Sequence, residues 1–155
     1  VTHNAQLRIN SRSGKIHLDL PNELIEVKGD KMHLTNIITN LVDNAIKYSN
    51  EAPDITISVR KENKKVLLSV KDKGIGIKKE HISKIFDKLY RVPTGNVHNV
   101  KGFGLGLSYV KAIAELHNWN ITVKSKPEVG SEFTIIIKYT STCRVNITIT
   151  CFSNY

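Results

Sequence analysis

At 155 residues the chain is long enough for one domain whose core needs no disulfide or metal staple. Its composition is that of an ordinary globular protein, and no apolar run approaches the roughly 20 residues of a membrane helix. A net charge of +9 admits nucleic acid, an acidic membrane or a phosphorylated ligand as partner, yet the lysines are scattered, aromatics are few and no nucleic-acid motif is present.

Residues 1–13 are polar and poorly patterned, so residues 1–14 are expected to be a linker from an upstream segment. Ile16, Leu18 and Leu20 alternate with polar residues as a half-buried strand, and Ile25-Glu26-Val27 reads as a second short one. From Lys31 to Tyr48 the pattern is helical. Leu34, Ile37, Ile38, Leu41 and Ala45 form an apolar stripe, with Asp30 available as its N-cap. Asn40, Asn44, Lys47 and Tyr48 share a second face of that helix, where two amides a turn apart are poor helix formers and ask for a reason.

Residues 55–59 and 66–70 alternate as a hairpin about Glu62-Asn63-Lys64, then run into Asp72-Lys-Gly74-Ile-Gly76-Ile77. Lys79 to Leu89 reads as a short basic helix with Ile82, Ile85 and Phe86 on one side. Periodicity is lost over 90–103, a length that marks a functional or mobile loop. A helix then opens at Gly104-Leu105-Gly106-Leu107 and runs to His117, with Leu107, Val110, Ala114 and Leu116 as apolar contacts. Two closing strands, 121–123 and 133–137, flank the turn Pro127 to Gly130. This order predicts an α+β fold, a two-layer sandwich of one mixed sheet with helices on one face. The tail 141–155 is expected to be an appendage to a domain spanning 15–140. Its cysteines, Cys143 and Cys151, form no metal-ligand cluster, and a reducing cytoplasm fits them.

Three stretches carry chemistry. A carboxylate at a strand end, as at Asp72, accepts hydrogen bonds and can take an exocyclic amine such as that of adenine, while Gly74 and Gly76 let a flat ring approach. The run Gly102-Phe-Gly104-Leu-Gly106-Leu107 opens a helix whose free N–H groups favour an anion. It is neither a Walker loop nor a dinucleotide fingerprint. The paired asparagines are the third.

Taken in order, these pieces resemble the ATP-binding catalytic domain of bacterial sensor histidine kinases, of a superfamily shared with gyrase, the heat-shock-90 chaperones and mismatch-repair ATPases. The resemblance runs from about residue 15 to 139. It is carried by Asn40-Leu-Val-Asp-Asn44-Ala-Ile-Lys47-Tyr48-Ser49, Asp72 to Ile77, Phe86-Asp-Lys-Leu-Tyr-Arg91, Gly102 to Leu107 and Gly130-Ser-Glu-Phe133. It implies the Bergerat-type ATP-binding fold. It further implies that Asn44 coordinates Mg²⁺ with Asn40 in support, and that Lys47 and Arg91 neutralise phosphate charge. Tyr48 would pack by the nucleoside, Asp72 would read adenine with Gly74, Gly76 and Ile77 beside it, and Gly102, Gly104, Leu105, Gly106 and Leu107 would hold the triphosphate under the 90–103 lid. Phe103 stands where a small hydroxyl residue is usual, and Trp119 where such domains often have glycine.

Hydrolysing members of the superfamily resemble one another in a glutamate one turn before the magnesium asparagine. That position is Asn40 here, which cannot accept a proton, so transfer to a protein nucleophile is expected over hydrolysis. None of His3, His17, His33, His81, His98 and His117 has the helical phosphoacceptor context of sensor kinases. The acceptor is therefore expected on an upstream dimerisation domain, with a response regulator beyond it. No contact with nucleic acid or membrane is expected of this domain. The alternatives are an anti-sigma-type serine kinase and a nucleotide-binding module without activity.

Overall fold

The computed structural model describes residues 3–23, 25–49, 52–92 and 103–138. The tail and most of the expected lid, Gly102 included, lie outside the described residues. Among the described residues nine elements follow in order. They are α1 (His3–Asn10), β1 (Lys15–Asp19), α2 (Lys31–Lys47), β2 (Asp54–Glu62), β3 (Lys65–Asp72), α3 (Lys79–Ile82), α4 (Gly106–Leu116), β4 (Asn120–Lys126) and β5 (Gly130–Lys138). The five strands make one sheet in the order β1-β2-β3-β5-β4. Only β1 and β2 run parallel, and the other pairs are antiparallel, so the sheet is mixed as expected.

The hairpin β2–β3 closes through Asn63 and Lys64, both in left-handed conformation, the twist a two-residue turn requires. Alternation then places Ile55, Ile57 and Val59 with Val66, Leu68 and Val70 and with Phe133, Ile135 and Ile137 on one buried face. Helices α2 and α4 cover it. Asp30 caps α2, its carboxylate accepting from the His33 N–H at 2.9 Å. The buried face of α2 is broader than the apolar stripe alone suggests. Val42 and Ile46 are buried beside Leu34, Ile37, Leu41 and Ala45, because α1 packs against the flank they occupy.

Four sequence expectations are corrected here. Residues 3–10, which show little pattern, form a helix whose Ala5 and Ile9 enter the core. Arg12 anchors that helix by donating to the carbonyls of Ile46 at 2.6 Å and Ser49 at 2.8 Å, at the end of α2. Ile25 and Val27 are buried, but among the described residues their backbone pairs with no strand. The basic helix stops at Ile82; the chain then turns, and Ile85 and Phe86 still reach the core, with Phe86 edge-on to Phe133. Leu116 is exposed rather than packed.

Trp119 belongs to the packed interior. It is buried, its backbone N–H donates to the Ala114 carbonyl at 2.7 Å, and its ring stacks on His117 at 4.5 Å between centroids. His117 in turn shares a 2.9 Å hydrogen bond with His33, tying the end of α4 to the start of α2.

Candidate functional site

The second face of α2 points into the space between α4 and the end of β3. Asn40 donates from Nδ2 to the Asn36 carbonyl at 2.8 Å, which turns its Oδ1 toward the start of α4. A Cβ built on Gly106 would lie 2.9 Å from that oxygen, so the start of α4 comes close to the Asn40 amide here. One turn on, Asn44 and Tyr48 form part of a cavity wall. The Lys47 ammonium lies 5.2 Å from the Tyr48 ring centre. Burial, then the nearby Arg91 and Arg8 charges, hold the Lys47 pKa below its ordinary value. Burial pushes the Tyr48 hydroxyl up. Asp43 is turned away, with Arg8 of α1 at 2.6 Å.

Asp72 ends β3 with its carboxylate inside the protein. Its Oδ1 accepts from the N–H groups of Gly74 at 2.8 Å and Ser131 at 3.2 Å. Burial raises its pKa against the pull of those two donors. A folded pKa above the unfolded one means the group contributes most stability below the unfolded pKa and loses it as pH rises through the folded one. Asp72→Asn keeps an oxygen for both N–H groups and removes the desolvated charge. We expect it to leave stability at neutral pH equal or raised, with a weaker pH dependence across the carboxylate range, while ATP affinity falls about tenfold. Urea unfolding at several pH values and calorimetric titration with ATP check both parts. Destabilisation at neutral pH would contradict them.

The loop after Asp72 is laid against two carbonyls. A Cβ on Gly74 would come 2.4 Å from the Tyr48 carbonyl oxygen, and one on Gly76, at φ 66°, would come 2.0 Å from that of Lys126. The Ile75 N–H donates to Tyr48 and the Glu128 N–H to Ile75, which stitches the loop to α2 and to the β4–β5 turn.

Of the residues expected from sequence, Asn44, Tyr48, Asp72, Gly76, Ile77, Arg91 and Leu107 line one cavity. Gly74 lies behind its wall, and Asn40 and Lys47 stand beside it. Gly104, at φ 71°, packs against the Leu89 backbone, and the half-exposed Leu105 precedes α4 without offering a side-chain cap. No side chain therefore caps the first N–H groups of α4. Sequence reasoning gave no site role to Ser131, Phe133, Ile75, Ile85, Tyr90 and Val92, which complete the wall. For Ser131 and Phe133 a signal existed. They follow Gly130 in the last quoted motif, and alternation puts both on the inner face of β5.

No group of three or more His, Cys, Asp or Glu side chains that could hold a metal occurs among the described residues. Asn44, which lines the cavity, carries a hard, neutral amide oxygen. One such donor suits a magnesium ion that arrives with phosphate oxygens, and is too few for a cation held by protein alone.

A cleft of this kind, between a mixed sheet and two helices, defines a class of nucleotide-binding domain. Among solved structures, the catalytic domain of histidine kinase ThkA, in a nucleotide-free form, superposes with a TM-score of 0.73 at 28% identity, covering 86% of this chain and 85% of that one. The family described as histidine kinase-, DNA gyrase B- and HSP90-like ATPases matches residues 29–141. The sensor protein RprX of Bacteroides fragilis is 47% identical over 84% of this chain, and the sensor histidine kinase YkoH of Bacillus subtilis 40% identical over 77%. The chain belongs to this family, and within it to the catalytic ATP-binding domains of sensor histidine kinases. It spans about a quarter (26%) of the length of each of those two relatives. No helix among the described residues is long and apolar enough to cross a membrane.

Proposed function

We propose that this domain binds Mg-ATP and donates the γ-phosphoryl group to a histidine on a dimerisation domain of the same longer bacterial protein, from which a response regulator takes it. The observation that carries this reading is the single cavity in which the Asp72 carboxylate, the Asn44 amide and Arg91 meet near the uncapped start of α4. Asp72 accepts from the exocyclic amine of adenine, and Tyr48 and Ile77 enclose the nucleoside. The N–H groups of α4, Gly104 and Leu105 face the phosphates. Arg91 and Lys47 offset phosphate charge. When bound through Asn44, Mg²⁺ would neutralise charge on the β- and γ-phosphates. Catalysis is then positioning and electrostatics, with the nucleophile supplied by the acceptor domain.

Asn40 supports transfer over hydrolysis, since among the described residues lining the cavity the one carboxylate is Asp72, at the adenine end. Asp43, the nearest other carboxylate on α2, is engaged by Arg8. We place the domain on the cytoplasmic side of a membrane-bound sensor.

The chain alone is expected to bind ATP in a magnesium-dependent way and hydrolyse it very slowly. Mixed with a separately made dimerisation domain from the same gene, it should yield an acid-labile, base-stable phosphoprotein. Rapid hydrolysis by the chain alone would defeat this reading in favour of an ATPase, and an acid-stable product would favour a serine kinase.

A further inference from the structure

Behind the adenine end of the cavity sits a hydroxyl that no role above absorbs. Ser125, on the inner face of β4, accepts from the Ile77 N–H at 2.8 Å, donates to the Gly130 carbonyl at 2.9 Å and lies 3.0 Å from the Ser131 hydroxyl oxygen. A serine hydroxyl has one proton and two lone pairs. The Gly130 carbonyl can only accept and takes the Ser125 proton. The Ile77 N–H occupies one lone pair. With the Ser125 proton on that carbonyl, Ser131 is the donor of the 3.0 Å contact, into the second lone pair.

That fixes what Ser131 shows the ligand. Its proton is then directed at Ser125, and its lone pairs are left for the cavity that Ser131 lines with Asp72, whose carboxylate accepts from its backbone N–H. Both oxygens there then act as acceptors. A base carrying an amine at this edge is matched, and one carrying a carbonyl meets oxygen against oxygen.

We propose that Ser125 is a positioning residue that sets the preference for a 6-amino over a 6-oxo purine, by holding the Ser131 hydroxyl as an acceptor. This deepens, and rests on, the reading of the cavity as a nucleotide site. With Ser125 replaced by alanine, the Ser131 proton loses its partner and is free to turn toward a carbonyl.

The test is the ratio of affinities for ATP and ITP, measured calorimetrically on this chain. Wild type should prefer ATP. Ser125→Ala should narrow the ratio about tenfold, mainly through tighter ITP binding, which a merely structural defect would not produce. Ser125→Thr, which keeps the hydroxyl, should retain the wild-type ratio. Ser131→Ala should narrow it as far as Ser125→Ala, with no further change in the double variant. If Ser125→Ala does not fold, Ser125→Cys carries the same expectation, since sulfur accepts hydrogen bonds weakly. An unchanged ratio in the folded alanine or cysteine variant, or an equal loss for both nucleotides, overturns the assignment to Ser125. Absence of any ATP binding by wild type would instead overturn the nucleotide reading itself.

Discussion

Replacing Asn44 by alanine should weaken Mg-ATP binding by about a hundredfold, the scale on which a lost metal or oxyanion partner is felt. The reason is the shortness of the donor set. Asn44 lines the cavity, and no cluster of three or more acidic, histidine or cysteine side chains among the described residues could take over a cation. The neighbouring Asn40 directs its oxygen at Gly106, so it makes a poor substitute. Binding of ATP in the presence of a chelator should change little in the same variant, because the Asp72 end of the site is untouched. Thermal stability should also hold, since Asn44 is half-buried at the cavity wall and belongs to no core cluster. Titrations with and without magnesium separate these outcomes. A variant that keeps the wild-type magnesium dependence would remove Asn44 from the metal site.

Gly130→Ala is expected to cost about 4 kcal/mol of stability, near the upper end for a single substitution. Gly130 has φ 125°, a conformation that side-chain-bearing residues rarely adopt. A Cβ there would come 2.0 Å from the Asp72 carbonyl oxygen and 3.0 Å from the Lys73 Cα, both backbone atoms of the paired strand end. Neither can yield without moving Asp72 away from the Ser131 N–H. Loss of ATP binding should therefore accompany the loss of stability. Urea unfolding gives the first quantity and titration of the folded fraction the second. A cost below about 1 kcal/mol would mean that β5 begins in another backbone conformation than the one described.

By contrast, the exposed ion pairs contribute little to these stabilities. Arg60 with Asp19 joins groups that are both more than half exposed, where solvent and side-chain entropy absorb most of the attraction. The burial behind α2 and the close approaches of glycine decide more than the lysine-rich surface does.

By itself the sequence determined the elements with strong local signals. The period of α2, the alternation of β2, β3 and β5, and the turn residues between them depend on neighbours a few positions away, so they are legible along the chain. The motif order was legible for the same reason, because Asn44, Asp72 and the glycines before α4 each sit at a local boundary of helix or strand. What tertiary structure decided has long-range causes. The N-terminal helix has little pattern of its own and takes its place because Ile9 and Ala5 find the flank of α2, with Arg12 fastened to carbonyls far along the chain. Ile25 and Val27 have strand-like composition but meet no strand among the described residues, so burial without pairing is the result. Trp119 in place of glycine became intelligible only once α4 brought His117 beneath its ring. The roles of Ser125 and Ser131 were also out of reach of the sequence. A hydroxyl's direction is set by which acceptors and donors fold around it, and here those come from the Ile77 loop, the start of β5 and Asp72, segments that only the sheet order brings together.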